Sequence, residues 1–255
     1  MLRDRQIRLT RLDAFPDPFE GSVPKRQIDD QVAIFGGAQL TEMMMRSVAA
    51  YYPDMQLPRY PDRQVPRSRD LWREMTQRRR AKTRSAHAIC WSSGDESEAM
   101  WKLYCSDGGQ GQGLALRSQL AKLEESVAGH DLIVSPVTYR FFHEGDAFDD
   151  ELDPFMHKRK GFAYEQEVRL LKYDEGHYFA LNSFLRGNAT AASPDELPKY
   201  IFLYWSLLKA IDSITVSPYA SEAYESKARD AITTIDPKLA VELSVLSERR
   251  YAANF

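Results

Sequence analysis

The chain has 255 residues, 43% hydrophobic and 28% charged, with 13 glycines and 13 prolines. Those proportions exclude collagen-like, coiled-coil and wholly disordered chains. A net charge of −3, from 34 Lys and Arg against 37 Asp and Glu, excludes a surface built throughout to seek phosphate backbones. The length suits a single domain over 1–255 with a self-sufficient core.

No run reaches the roughly 20 apolar residues of a membrane span. The longest candidate, Tyr200 to Ile211, is broken by Ser206 and Lys209. The opening MLRDRQIRLTR has charge without a secretory signal's apolar stretch, so a cytoplasmic protein without membrane contact is the expectation. Cys90 and Cys105 have no metal-knuckle spacing and lie beside Ile89 and Tyr104, which suits reduced core thiols.

In chain order, residues 6–10 read as a short strand and Asp13 to Pro18 as a turn, in which Phe15 and Phe19 staple the corner and Asp17 or Glu20 can reach a cleft. A helix is predicted over Leu40 to Tyr52, then a proline-rich stretch from Pro53 to Pro66. Arg63 to Arg84 carries nine Arg or Lys against Asp70 and Glu74, with Trp72, Met75 and Arg79 at helical spacing. That is a basic amphipathic helix, and 53–86 together form a candidate insertion or lid. Arg78, Arg79 and Arg80 are its candidate contacts to nucleic acid or a protein partner.

His87 to Ser92 reads as a buried strand, Glu96 to Cys105 as a helix, Gly113 to Arg117 as a strand and Ser118 to Val127 as a helix. Leu132 to Phe142 reads as one long strand and Asp150 to Lys160 as a helix. Glu165 to Tyr173 alternates like a strand, paired with Tyr178 to Leu181 across the turn at Asp174 to Gly176. Helices at Leu197 to Ile211 and Ser221 to Ile235 bracket a strand at Ser213 to Ser217. The expected class is α+β, with mixed, largely antiparallel sheets flanked by helices.

Two segments carry chemistry. On a strand through KRKGFAYEQEVRLLKY, Glu165, Glu167 and Arg169 share a face, the two carboxylates about 7 Å apart. Such a pair is costly unless it is solvated or used. On the helix after Cys90, Trp101 and Tyr104 suit either core packing or an aromatic wall for a flat ligand ring. The histidines at 87, 130, 143, 157 and 177 make no pair at metal-binding spacing, so no metal is expected, and GGQGQG lacks the GK[ST] ending of a nucleotide loop.

FPDPFE at Phe15 to Glu20, CWS with ESEAMWKLY at Cys90 to Tyr104, the GLAL strand, VTY at Val137 to Tyr139, K-x-x-x-F-x-x-E-x-E-x-R from Lys158 to Arg169 and the closing ITVSPYASEAYESKARDAI together resemble the bacterial family known as domain of unknown function 2971. Pro16 stands where that family shows Asn. More distantly, the layout is similar to the ADP-ribosyltransferase fold, whose members split NAD at the nicotinamide bond. The resemblance implies Glu167 as the carboxylate that stabilises the ribosyl cation, and Glu165 as the group that orients or deprotonates the acceptor. It implies Arg169 orienting the pair or touching the pyrophosphate, Trp101 and Tyr104 stacking a ring, and Ser92 or Ser93 holding the ribose. Family members carry a strand and helix ahead of the D-P-F-E turn, which here stands about fourteen residues after Met1. Either the start is shortened, or Arg8 and Arg11 take over the NAD contacts, or NAD is not bound.

Three readings remain at this level. The first is an NAD-consuming transferase or glycohydrolase, a bacterial toxin or phage-defence effector with a protein or nucleic-acid acceptor and a cognate antitoxin. The second is a non-catalytic nucleic-acid or protein-binding module using Arg63 to Arg84. The third is a hydrolase or nuclease that holds a divalent ion with Asp17, Glu20, Glu165 and Glu167.

Overall fold

The computed structural model describes residues 5–24, 26–27, 77–105, 111–142, 148–185, 197–205 and 207–248. The proline-rich stretch, the helix expected at 40–52, most of the basic segment and part of GGQGQG lie outside them. The expected α+β class holds, and the described residues form two larger sheets and a two-stranded ribbon flanked by helices. Among the described residues no helix is long and apolar enough to cross a membrane.

The larger sheet is antiparallel throughout and is built from β1 (Gln6–Arg11), β2 (Ala86–Ser92), β4 (Ile133–Pro136), β7 (Glu167–Tyr173) and β8 (Tyr200–Tyr204), in the order β4-β7-β2-β1-β8. The second sheet sets β9 (Ile211–Val216) between β10 (Ala240–Leu243), which is parallel to it, and the antiparallel β3 (Leu114–Ser118). A parallel pair needs a crossover, and the helix α5 (Glu222–Ile235) between β9 and β10 supplies it. The Ser221 hydroxyl starts α5 by accepting from the Tyr224 N–H.

The main core lies between these sheets and is closed by α3 (Leu120–Val127) and α5. Ile7 and Leu9 from β1 and Leu170 from β7 meet Ile211 and Ile214 from β9, with Leu123, Val127 and Ile232 from the helices. Strand alternation sends their neighbours Arg8, Cys90, Glu167 and Arg169 to the opposite face of the large sheet. A smaller cluster of Leu12, Ala86, Ala88, Phe155 and Leu171 packs one end of that second face.

Four expected elements differ, each for a local reason. The single strand expected over Leu132 to Phe142 breaks at Pro136, whose nitrogen carries no ladder proton. Beyond it Val137 donates to the Glu167 carbonyl and Thr138 to that of Met156, which transfers the chain to β5 (Thr138–Arg140) in the parallel ribbon with β6 (His157–Arg159). The helix expected over Asp150 to Lys160 is a 3-10 turn, Asp153–Phe155, followed by β6, because the Asp153 carboxylate accepts from the Asp149 and Asp150 amides and Pro154 follows. The strand expected at Tyr178 to Leu181 is the helix α4 (Glu175–Leu185), started by the Asp174 carboxylate accepting from the His177 amide; β7 pairs with β2 and β4 instead. The helix expected over Leu197 to Ile211 opens as strand β8, where Ile201 and Leu203 pack on the core while Tyr200, Phe202 and Tyr204 face outward.

Candidate functional site

The face of the large sheet turned away from the main core floors a cleft of about 840 Å³. Arg8 and Thr10 from β1, Cys90 from β2, Glu167 from β7 and Phe202 from β8 line the floor. The turn holding Phe15, Asp17 and Glu20 makes one wall. Lys158 and the 3-10 helix Lys160–Glu165 make another, and Tyr104 from α2 (Glu98–Tyr104) stands at the mouth.

Glu165 reaches the cleft by a route that alternation does not describe. It ends the 3-10 helix rather than standing on β7, and Gln166 then turns the backbone through φ +43°, ψ +50° before β7 begins. The Ser92 hydroxyl donates to the Glu165 carbonyl at 2.8 Å and the Ser93 hydroxyl to the Gln166 carbonyl at 3.0 Å, and both hold this corner. A strand would have set both glutamates on one face, and the kinked corner brings them together around Lys158 instead.

The resulting network is buried and continuous. Lys158 Nζ donates to Glu165 Oε2 at 2.6 Å and to Glu167 Oε2 at 3.2 Å, and lies 3.6 Å from Glu20 Oε1. Arg169, fully buried, donates from Nε to Glu167 Oε1 at 2.6 Å, from both terminal nitrogens to Glu20, and from Nη1 to the Phe155 carbonyl at 2.5 Å. Every donor is charge-assisted, so burial of these ions is offset by short hydrogen bonds rather than by water. Three carboxylates against two cations leave the ionised network one negative charge in excess.

Electrostatics follows from this packing. Burial alone would raise Glu167, but the Arg169 charge and hydrogen bond, a hydrogen bond from Cys90 and the Lys158 charge outweigh it and hold the carboxyl below its ordinary range. For Glu20, burial wins over Arg169 and Lys158, and its pKa is raised. Burial would lower Lys158, yet its bond to Glu165 and the charges of Glu167 and Glu20 hold it well above the ordinary lysine value. Cys90 is pushed well up by burial, so it stays a thiol and donates to Glu167. Tyr104 exposes most of its ring, while burial and the Glu165 charge push its hydroxyl up to about 12.

The ribbon fixes the network from outside. Tyr139 on β5 stands beside Lys158 on β6, and the Tyr139 hydroxyl accepts from the Glu167 N–H at 2.8 Å. Arg159, the next residue, donates to Asp17 Oδ1 at 2.7 Å and lies 4.4 Å from the centre of the Phe19 ring. This ties the Asp-Pro-Phe-Glu turn to the ribbon.

Of the residues singled out from sequence, Glu165, Glu167, Tyr104 and Arg8 line the cleft, as do Phe15, Asp17 and Glu20 of the turn. Eight others do not line it. Trp101 is buried with its indole N–H on Glu96, and the two serines hold the corner. Arg11 points to the sheet's other face, onto Asp13 and the Leu197 carbonyl. Arg169 orients the two glutamates from within the protein and is too enclosed to touch a ligand phosphate. Arg78, Arg79 and Arg80 lie on the helix α1 (77–84), away from the cleft lining. Sequence reasoning gave no site role to Lys158, Cys90 or Tyr139, although Lys158 heads the K-x-x-x-F-x-x-E-x-E-x-R run, Cys90 opens CWS and Tyr139 closes VTY.

Among the described residues, no group of three or more His, Cys, Asp or Glu is placed to hold a metal ion. The carboxylates of Asp17, Glu20, Glu165 and Glu167 instead each accept from Arg159, Arg169 or Lys158. Comparison with known proteins gives no matching family model, no matching curated protein and no matching solved structure.

Proposed function

We propose that the cleft takes NAD as a substrate and breaks the bond between nicotinamide and ribose, passing the ribosyl group to water or to an acceptor. The observation that carries this reading is Glu167, 4% exposed, held ionised on the cleft floor beside Glu165 in a network with excess negative charge. Breaking the bond leaves its electron pair on nicotinamide and positive charge on the ribose, and a fixed anion favours that transition state over the ground state.

In this reading Glu167 faces the ribosyl cation, and Arg169 and Lys158 fix its position. The acceptor oxygen forms the new bond to the anomeric carbon while its proton passes to Glu165 and on to solvent. Tyr104 and Phe202 offer rings for the nicotinamide or adenine, and Arg8 offers a cation for the pyrophosphate. The volume falls within the 300 to 1,000 Å³ usual for small-molecule sites. An acceptor macromolecule, an antitoxin and a role as toxin or defence effector belong to the same proposal.

The test is nicotinamide release from NAD by the purified chain, followed by chromatography with and without candidate acceptors. Glu167→Gln is expected to lower the rate by about 10²- to 10³-fold. Tyr104→Ala, at an exposed ring, is expected to raise KM with a smaller effect on kcat. Urea unfolding of each variant separates lost chemistry from lost fold. A folded wild-type chain that releases no nicotinamide, or a Glu167→Gln variant as fast as wild type, overturns the reading.

A further inference from the structure

Among the described residues, strand β8 is an edge of the large sheet, and its outward face is aromatic. Phe202 is 58% exposed and Tyr204 76% exposed, with Tyr200 on the same face. Rings that stand side by side on one open face make the kind of contiguous patch that marks an interaction surface. Their setting points to the partner's charge. Across the ladder, Arg8 stands opposite Phe202 and Gln6 opposite Tyr204. The Arg8 guanidinium lies 4.6 Å from the centre of the Tyr200 ring, and Lys199 Nζ lies 5.3 Å from it. Neither β1 nor β8 contains an acidic residue, and exposed Arg5 precedes β1. A chain that is net acidic therefore carries a cationic, aromatic strip that continues outward from the cleft floor, with Arg8 and Phe202 belonging to both.

We propose that this strip binds single-stranded nucleic acid, with bases stacked on Phe202 and Tyr204 and phosphates drawn to Arg8, Lys199 and Arg5. Outward side chains two apart on a strand stand about 7 Å from each other. That is about twice the 3.4 Å rise per nucleotide of a duplex strand, so the rings suit splayed, unstacked bases and mismatch a duplex. Flat rings accept any base face, and the cations supply sequence-independent attraction. Tyr200 anchors the cations, which leaves Phe202 and Tyr204 as the stacking surfaces. The surface is separate from the basic segment at 63–84, and the inference does not depend on NAD chemistry.

Fluorescence anisotropy with labelled 12-nucleotide oligo-dT and oligo-rU at about 50 mM salt tests it. Binding of the single strands is expected, with much weaker binding of a duplex of equal length. Phe202→Ala and Tyr204→Ala are each expected to weaken binding about tenfold or more, and Phe202→Trp to retain it. Arg8→Gln is expected to shallow the slope of log affinity against log salt by about 0.7. Circular dichroism checks that the variants are folded, as the exposure of these side chains leads one to expect. Absence of single-strand binding, equal binding of duplex, or binding indifferent to both aromatic truncations overturns the proposal. Self-association through β8 that Phe202→Ala abolishes, seen in sedimentation without oligonucleotide binding, also overturns it and identifies a second copy of the chain as the occupant.

Discussion

Arg169 is the residue on which the candidate site is built. It holds two carboxylates and a carbonyl without exposure to water, so its removal strands Glu20 and Glu167 in a buried setting. Arg169→Met is expected to destabilise the fold by about 3 to 5 kcal/mol, measured by urea unfolding. Arg169→Lys should rescue little, because a point charge cannot serve Glu20 and Glu167 with the planar fork that the guanidinium supplies. The two carboxylates also give opposite pH signatures. Glu167 titrates below its ordinary 4.5, so its contribution is present above the unfolded-state pKa and is lost as pH falls through the lower folded value. Glu20 titrates above 4.5, so its contribution is full below that value and declines as pH rises through the raised one. Between about pH 6 and pH 3, the stability gap between wild type and Glu167→Gln is therefore expected to narrow, and that between wild type and Glu20→Gln to widen. Urea midpoints across that range measure both.

Among the elements, the corner at Gln166 decides how β7 enters the site. A left-handed residue there ends the 3-10 helix and lets Glu165 and Glu167 converge on Lys158. Gln166→Gly is expected to preserve or raise stability, and Gln166→Val to lower it by about 1 to 2 kcal/mol, read from thermal unfolding. Gly21 has a comparable constraint: at φ +67° a Cβ there would come within 2.5 Å of the Thr83 hydroxyl oxygen, where the turn meets the helix over 77–84. Strands β1, β2, β3 and β9 and helices α2, α3 and α5 were legible because their apolar periods run uninterrupted to a boundary. The alternation of Tyr200, Phe202 and Tyr204 was equally present but was hidden by the apolar run that continues past it. Asp174 reads as a turn residue until its carboxylate is seen capping a helix. The convergence of Glu165 and Glu167 could be suspected from E-x-E alone. Glu20 was grouped with them only as a possible metal ligand, and Lys158 could not be added, because a turn near the N-terminus and a strand in another sheet meet only through tertiary packing.

For the molecule as a whole, the two sheets divide the labour. Their facing sides hold the apolar core, and the large sheet's outer side is left free to carry charge, aromatic rings and a cleft. Both cysteines are free; burial raises the pKa of each, and the Cys90 thiol keeps its proton while donating a hydrogen bond to Glu167. A protonated thiol is a poor nucleophile, so neither is expected to react quickly with iodoacetamide in the native state near neutral pH. Mass spectrometry should show labelling that tracks unfolding in urea; rapid labelling of Cys90 in the folded chain would contradict its place in the network. The short β5-β6 ribbon has a mechanical consequence of its own. Tyr139 grips the backbone of Glu167 and Lys158 grips its carboxylate, from adjacent positions on two strands that move as one. Prying that ribbon off the sheet would strip the acid of its lysine counter-ion and loosen the strand that carries it, so the basicity of this group is coupled to the position of the wall beside it.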